Sequence, residues 1–149
     1  MALCLTDKVH FGDSFSNVAK KLNAPAIHKP LLGMKEGKEL PVPGHLVCKI
    51  EAFDGLPVTY VFIEDQLVQI KGIKIGIKEL DVLDWLEKEF GIVEKKIENL
   101  NTAATAAEFY WDKEPLFIFY AMRRDDKETF QYMEITNKKY KNLFKDREE

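Results

Sequence analysis

The sequence predicts an α+β fold: two tandem α-β-β-β units forming an antiparallel sheet with helices packed on one face. Three observations carry this expectation. Two stretches have helical apolar spacing, each is followed by strand-like runs of β-branched and aromatic residues, and an aromatic-Asp-x-x-Pro phrase occurs twice. The expected organisation is a single domain over 1–149, made of two degenerate repeats (about 10–72 and 76–136) and a C-terminal helical tail at 137–149.

In the first unit, Asp13 or Ser14 caps a helix whose apolar positions Phe15, Val18, Ala19 and Leu22 follow the i, i+3, i+4, i+7 rule, and Pro25 stops it. The segment Ile27 to Gly44 holds Pro30, Gly33, Gly37, Pro41, Pro43 and Gly44 and reads as a long loop. A strand is expected over His45 to Phe53. It meets the turn signal Asp54-Gly55-Leu56-Pro57 and pairs with Val58 to Ile63 as a hairpin. Glu64-Asp65-Gln66 allows another reversal into Leu67 to Lys71, ended by Gly72.

The second helix shows the stripe Leu80, Leu83, Leu86 and Phe90, a charged opposite face, and Gly91 as a C′ residue. Strands follow over Ala104 to Trp111, Leu116 to Met122 and Thr129 to Ile135, with turns at Asp112-Lys113-Glu114-Pro115 and Arg124 to Lys127. Asp54 and Pro57 fall on Asp112 and Pro115 at a shift of 58, while Val18 and Leu22 fall on Leu86 and Phe90 at a shift of 68. The helix-to-strand connection is therefore shorter in the second copy, and the excess in the first is the Ile27–Gly44 segment. The last stretch alternates charges around Tyr140, Leu143 and Phe144, the pattern of a short docking helix.

At 149 residues, 46% hydrophobic and 32% charged, the chain has globular composition and enough length to bury a core. A net charge of −3 gives no electrostatic footprint for nucleic acid. The stretch Met1 to Lys8 lacks a basic n-region and a long apolar h-region, and no apolar run reaches a membrane span, so no export and no membrane partner are expected. On that reading the compartment is cytoplasmic, and the two cysteines, Cys4 and Cys48, are expected as thiols without a disulfide.

No phosphate loop, Walker sequence, GxSxG elbow, HExxH or dinucleotide fingerprint appears, and Gly72-Ile73-Lys74-Ile75-Gly76 does not stand for one. His45-x-x-Cys48 has ligand and nucleophile residue types, but in a strand residues three apart point to opposite faces. A buried cysteine beside a hydrogen-bonded histidine is the plainer reading. His10 and His28 have no second ligand near them in sequence. No catalytic residue, metal ligand or cofactor is expected, and the chain is not expected to be an enzyme.

What stands out is aromatic content on both faces of the strands. Tyr60 and Phe62 share a face with Val58. Phe109 and Trp111 oppose Tyr110, and Phe117 and Phe119 oppose Ile118 and Tyr120. A sheet covered on one side should alternate apolar with polar, so the second face is either buried by another layer or an exposed aromatic binding surface. In the second case Phe53, Tyr60, Trp111 and Phe117 are the candidate contacts. Glu79, Asp81, Asp84 and Glu87 on the second helix keep that helix solvated, or present a negative ridge to a basic partner.

The order helix then antiparallel strands, twice, with the phrase Phe11-Gly12-Asp13-Ser14-Phe15-Ser16-Asn17-Val18-Ala19-Lys20-Lys21-Leu22 and the two aromatic-Asp-x-x-Pro turns, resembles the β-lactamase inhibitor protein and the small outer-membrane assembly lipoproteins of the Bam complex. The likeness is one of topology over residues 10 to 136 and carries over no functional residue. This chain departs from those secreted proteins in lacking an export signal and an expected disulfide. What the resemblance implies is a protein that binds another protein.

The first functional expectation is thus a small cytoplasmic protein-binding or inhibitory protein, for instance a bacterial immunity protein that covers a basic toxin or enzyme, with a homodimer also allowed. The second is a small-ligand-binding or enzymatic domain with a pocket between the sheet and the 27–44 loop, lined by Tyr60, His45 or Trp111.

Overall fold

Eight strands share one antiparallel sheet in a computed structural model that describes residues 4–25, 27–31, 36–46, 56–76, 80–100 and 105–147. The strands are β1 (Lys29–Pro30), β2 (Gly37–Val42), β3 (Val58–Ile63), β4 (Gln66–Gly76), β5 (Lys95–Leu100), β6 (Thr105–Lys113), β7 (Leu116–Arg124) and β8 (Thr129–Asn137). Their order across the sheet is β1-β2-β3-β4-β8-β7-β6-β5. At the middle of the sheet β4 pairs with β8, from Gln69 opposite Thr136 to Gly76 opposite Thr129.

Helix α1 (Phe15–Lys21) starts as its sequence demands, with Ser14 accepting the Asn17 N–H at 3.2 Å. A second anchor comes from the β3–β4 turn, where Asp65 accepts the Phe15 N–H at 3.0 Å. Glu64 and Asp65 both have positive φ, 53° and 56°, the backbone that a two-residue hairpin turn requires. Helix α2 (Asp81–Phe90) ends at Gly91, whose φ of +80° is a backbone conformation that residues with a side chain rarely adopt and glycine reaches freely.

One face of the sheet, the inner one, carries the strand residues of a buried cluster that residues of α1 and α2 join. Phe15, Val18 and Leu22 join it from α1, Val82, Leu83, Trp85 and Leu86 from α2. The sheet contributes Leu40, Tyr60, Phe62, Ile70, Phe109, Trp111, Ile118, Tyr120, Met133 and Ile135 to the same cluster. A short 3-10 turn, Cys4–Thr6, adds Leu5, which is 1% exposed.

On the opposite, outer face, a smaller cluster of Leu31, Val61, Ile63 and Val68 is covered by Tyr140, Leu143 and Phe144. These three come from the C-terminal segment, a 3-10 helix over Lys138–Arg147. The register shift at Val61/Phe62 explains how both faces of β3 and β4 stay apolar. Val68 and Gln69 form a bulge that resets the alternation, so Leu67 and Ile70 both reach the inner core.

Four expectations are corrected. The Ile27–Gly44 segment holds two strands, β1 and β2. Pro41 is tolerated in β2 because β1 pairs only with Lys38 and Glu39, leaving Pro41 at an edge. His45 lies in a 3-10 turn, Gly44–Leu46, and not in a strand, while 47–55 lie outside the described residues. Gly72 does not end its strand: β4 runs on to Gly76, and a Cβ at Gly72 would stand 3.1 Å from Met133 Cε, so the glycine marks close packing against β8. Finally, Cys4 is disulfide-bonded, not a thiol, and Cys48, the other cysteine of the sequence, lies outside the described residues. Strand β5 was not anticipated either, since Lys95-Lys96-Ile97-Glu98-Asn99-Leu100 carries little apolar alternation.

Candidate functional site: the outer face of the sheet

Strand register fixes which side chains share the outer face, because residues directly opposite one another in paired strands project the same way. One row crosses the sheet as Ile73, Tyr132, Ala121, Glu108 and Ile97. The next runs Lys71, Glu134, Phe119, Tyr110 and Lys95, and a third places Thr136 beside Phe117 and Asp112. Ile75, Phe130 and Arg123 form a fourth.

The rings in these rows touch. Tyr110 lies 5.2 Å from Phe119 and 6.1 Å from Phe117, centroid to centroid, and Phe119 lies 6.2 Å from Tyr132. All four are half-buried. Of the six large apolar side chains exposed among the described residues, four (Ile73, Ile75, Ile97 and Phe130) stand on this face. The cover given by Leu143 and Phe144 stops at an open depression of about 320 Å³ lined by Phe117, Thr136, Lys138 and Phe144.

Carboxylates punctuate the rings. Tyr110 donates to Glu108 Oε2 at 2.8 Å, and Tyr132 donates to Glu134 Oε1. Glu108 holds the Tyr110 hydroxyl protonated and so raises its pKa. Lys95 Nζ sits 5.8 Å over the Tyr110 ring. Beyond β4, Lys71 pairs with Glu39 at 2.7 Å in a second open depression of about 620 Å³, lined by Pro41, Thr59, Ile73 and Tyr132 among others.

Of the residues singled out from sequence, Phe117 belongs to this face. Tyr60 and Trp111 do not: both are 0% exposed on the inner face. Tyr60 donates its hydroxyl to the Leu5 carbonyl at 2.9 Å, and Trp111 donates its indole N–H to the Gly91 carbonyl at 3.0 Å. Their polar handles are used within the chain, so both are core residues. Phe53 and Glu79 lie outside the described residues, as does the side chain of His45.

Asp81 is not a free member of an acidic ridge. It pairs with Lys74, accepts from Gln131 Nε2 at 3.0 Å, and accepts the Val82 N–H at 3.0 Å. Burial alone would raise its pKa, but the Lys74 and Gln131 hydrogen bonds, the Lys74 charge and the Val82 N–H together outweigh burial and leave it lowered. Gln131 Oε1 in turn accepts from the buried Tyr120 hydroxyl at 2.8 Å. Asp84 and Glu87 remain exposed on α2. They belong to the helix that covers the inner face, so they and the outer-face rings sit on opposite sides of the sheet.

Sequence reasoning missed Tyr110, Phe119, Tyr132, Phe130 and the three isoleucines as contacts. The signal was present: in β6 the alternation that sends Phe109 and Trp111 inward sends Tyr110 out. Trp111 is singled out because aromatics are enriched at interface hot spots, which does not decide which face of β6 lies inward. Among the described residues, no group of three or more His, Cys, Asp or Glu is placed to hold a metal ion. Among the same residues, no helix is long and apolar enough to cross a membrane.

No protein-family model, curated protein or solved structure matches this chain.

Proposed function

We propose that this chain is a protein-binding module that grips its partner with the outer face of the sheet. The observation that carries the reading is the contiguous set Tyr110, Phe117, Phe119 and Tyr132, flanked by exposed Ile73, Ile75, Ile97 and Phe130. Aromatic anchors surrounded by near-neutral contacts are the usual source of binding energy in interfaces. The intervening Glu108 and Glu134 suit a partner that offers aliphatic groups and basic side chains, arginine above all, which pairs with carboxylates and stacks on rings.

Within that class the specific form we favour is an inhibitory protein of the immunity type, which neutralises a toxin or enzyme by covering it. The acidic ridge on α2 takes no part in that contact, since it faces away from the rings. Cys4's disulfide supports an oxidising compartment over the cytoplasm.

We also propose that the two halves arose by duplication. Each half supplies one helix and then four strands, and the order β1-β2-β3-β4-β8-β7-β6-β5 reads from either edge as first to fourth strand of one half. Tyr60 and Tyr120 both stand on the third strand of their half, both buried with a bonded hydroxyl.

The test is affinity capture from the native host with the wild-type chain and with Phe119→Lys side by side. The reading requires a stoichiometric partner on the wild type that the variant loses while keeping its melting temperature. Equal capture by both, or no specific partner, would remove it. A second reading, a small-ligand site, is favoured by the depression holding Lys71, Glu39 and Tyr132. A thermal-shift screen separates them, since a ligand that binds only the folded form raises the melting temperature.

A further inference from the structure

We infer that β5 is a self-complementary edge through which two copies of this chain pair antiparallel about a two-fold axis, extending the sheet across both. The two ends of the sheet differ. At one end β1 has two residues and finishes on Pro30, which cannot donate to a neighbouring strand. At the other, β5 presents six residues without proline, and among the described residues its only strand partner is β6. Such an edge is a template for a further strand.

Its charge pattern selects the occupant. In an antiparallel pair related by a two-fold axis normal to the sheet, each residue faces one of the same parity, so inner-face residues meet inner-face residues. The register with Ile97 opposite Ile97 of the second copy then sets Lys96 against Glu98 and Glu98 against Lys96. Sliding by two in one direction sets Lys96 against Lys96 and Glu94 against Glu98; sliding the other way sets Glu98 against Glu98. One register therefore matches all charges and buries the exposed isoleucine, and its neighbours on either side repel.

Lys96 and Glu98 already stand within 2.6 Å of each other along the strand, on one face. Pairing closes them into an alternating ring of four charges. Lysines on an edge deter indiscriminate strand addition; here the acid two residues on converts that deterrent into a choice of register. Ile97, 44% exposed in the single chain, lies in the row of Glu108 and Tyr132, so the axis would join the outer faces of both copies. The inference does not depend on the function proposed above.

The test is solution mass against concentration for the wild type, Lys96→Glu, Glu98→Lys and the double swap. The wild type should reach twice 17.2 kDa, with dissociation favoured by high salt. Each single reversal creates two like-charge contacts and should weaken the dimer about tenfold or more. The double swap should restore it, and an equimolar mixture of the two single variants should form a mixed dimer, since there every contact is again opposite in sign. A wild type that stays monomeric at high micromolar concentration overturns the inference. So does a dimer that single reversals leave intact.

Discussion

The rings of Tyr110 and Phe119 stand 5.2 Å apart on neighbouring strands, on the face of the sheet opposite the one that buries Phe109 and Tyr120. The same two strands thus serve a core on one side and an apolar, ring-lined surface on the other. Substitutions should separate these roles. Phe130→Lys, on the outer face, should change stability by about 1 kcal/mol or less, whereas Trp111→Ala should cost about 3–5 kcal/mol because it opens a cavity in the core. Paired urea melts check this; similar losses in both would contradict the two-faced assignment.

Tyr60 and Tyr120 should resist titration. Burial raises both pKa values, with Asp7 adding to the effect at Tyr60 and Asp81 at Tyr120. A group whose folded pKa is raised contributes stability that is complete below its unfolded pKa, about 10, and is lost as pH climbs beyond it. Ultraviolet titration of the five tyrosines should show Tyr60 and Tyr120 ionising only together with alkaline unfolding. Smooth ionisation of all five with the fold intact would refute the burial of these hydroxyls.

Asp81 behaves in the opposite sense. Its lowered pKa means that its stabilisation is present above the ordinary carboxylate value near 4 and fades as pH falls below it. Asp81→Asn should cost about 1–3 kcal/mol at neutral pH, since it removes charge-assisted bonds to Lys74 and Gln131. The deficit should shrink in acid. Denaturation curves at pH 7 and pH 3 measure both values, and a pH-independent deficit would argue against the ion pair.

Cys4 should resist alkylation in the denatured, unreduced protein, because it is already disulfide-bonded. Cys4→Ser should lose about 2–5 kcal/mol, the usual cost of removing a native disulfide from a small domain. Mass spectrometry of alkylated peptides reads the first outcome. Full alkylation of Cys4 without reductant would sink the prediction.

Much of this was legible beforehand, for reasons that differ by element. Both helices follow from their apolar spacing and terminal residues, Ser14 at one start and Gly91 at the other end. Strands β3, β4, β6, β7 and β8 are dense in β-branched or aromatic residues, and turns such as Glu64-Asp65 announce themselves. β2 and β5 hid for physical reasons. Edge strands are half solvated, so Pro41 and the lysines of β5 erase the local signal that central strands must carry. The candidate surface was half legible: parity placed Tyr110 and Phe119 opposite the core residues, but only the register across β4, β8, β7 and β6 shows that Ile73, Tyr132 and Phe119 adjoin. The thiol expectation for Cys4 rests on a reducing compartment alone, and the disulfide overturns it.

Side-chain footprinting of the partner-bound chain tests the central claim most directly. Hydroxyl radicals should label Tyr110, Phe119, Phe130 and Tyr132 in the free chain and leave them shielded in the complex, with Tyr60 and Trp111 unreactive in both. Undiminished labelling of those four rings in the complex, with protection found instead around Asp84 and Glu87 on α2, would contradict it.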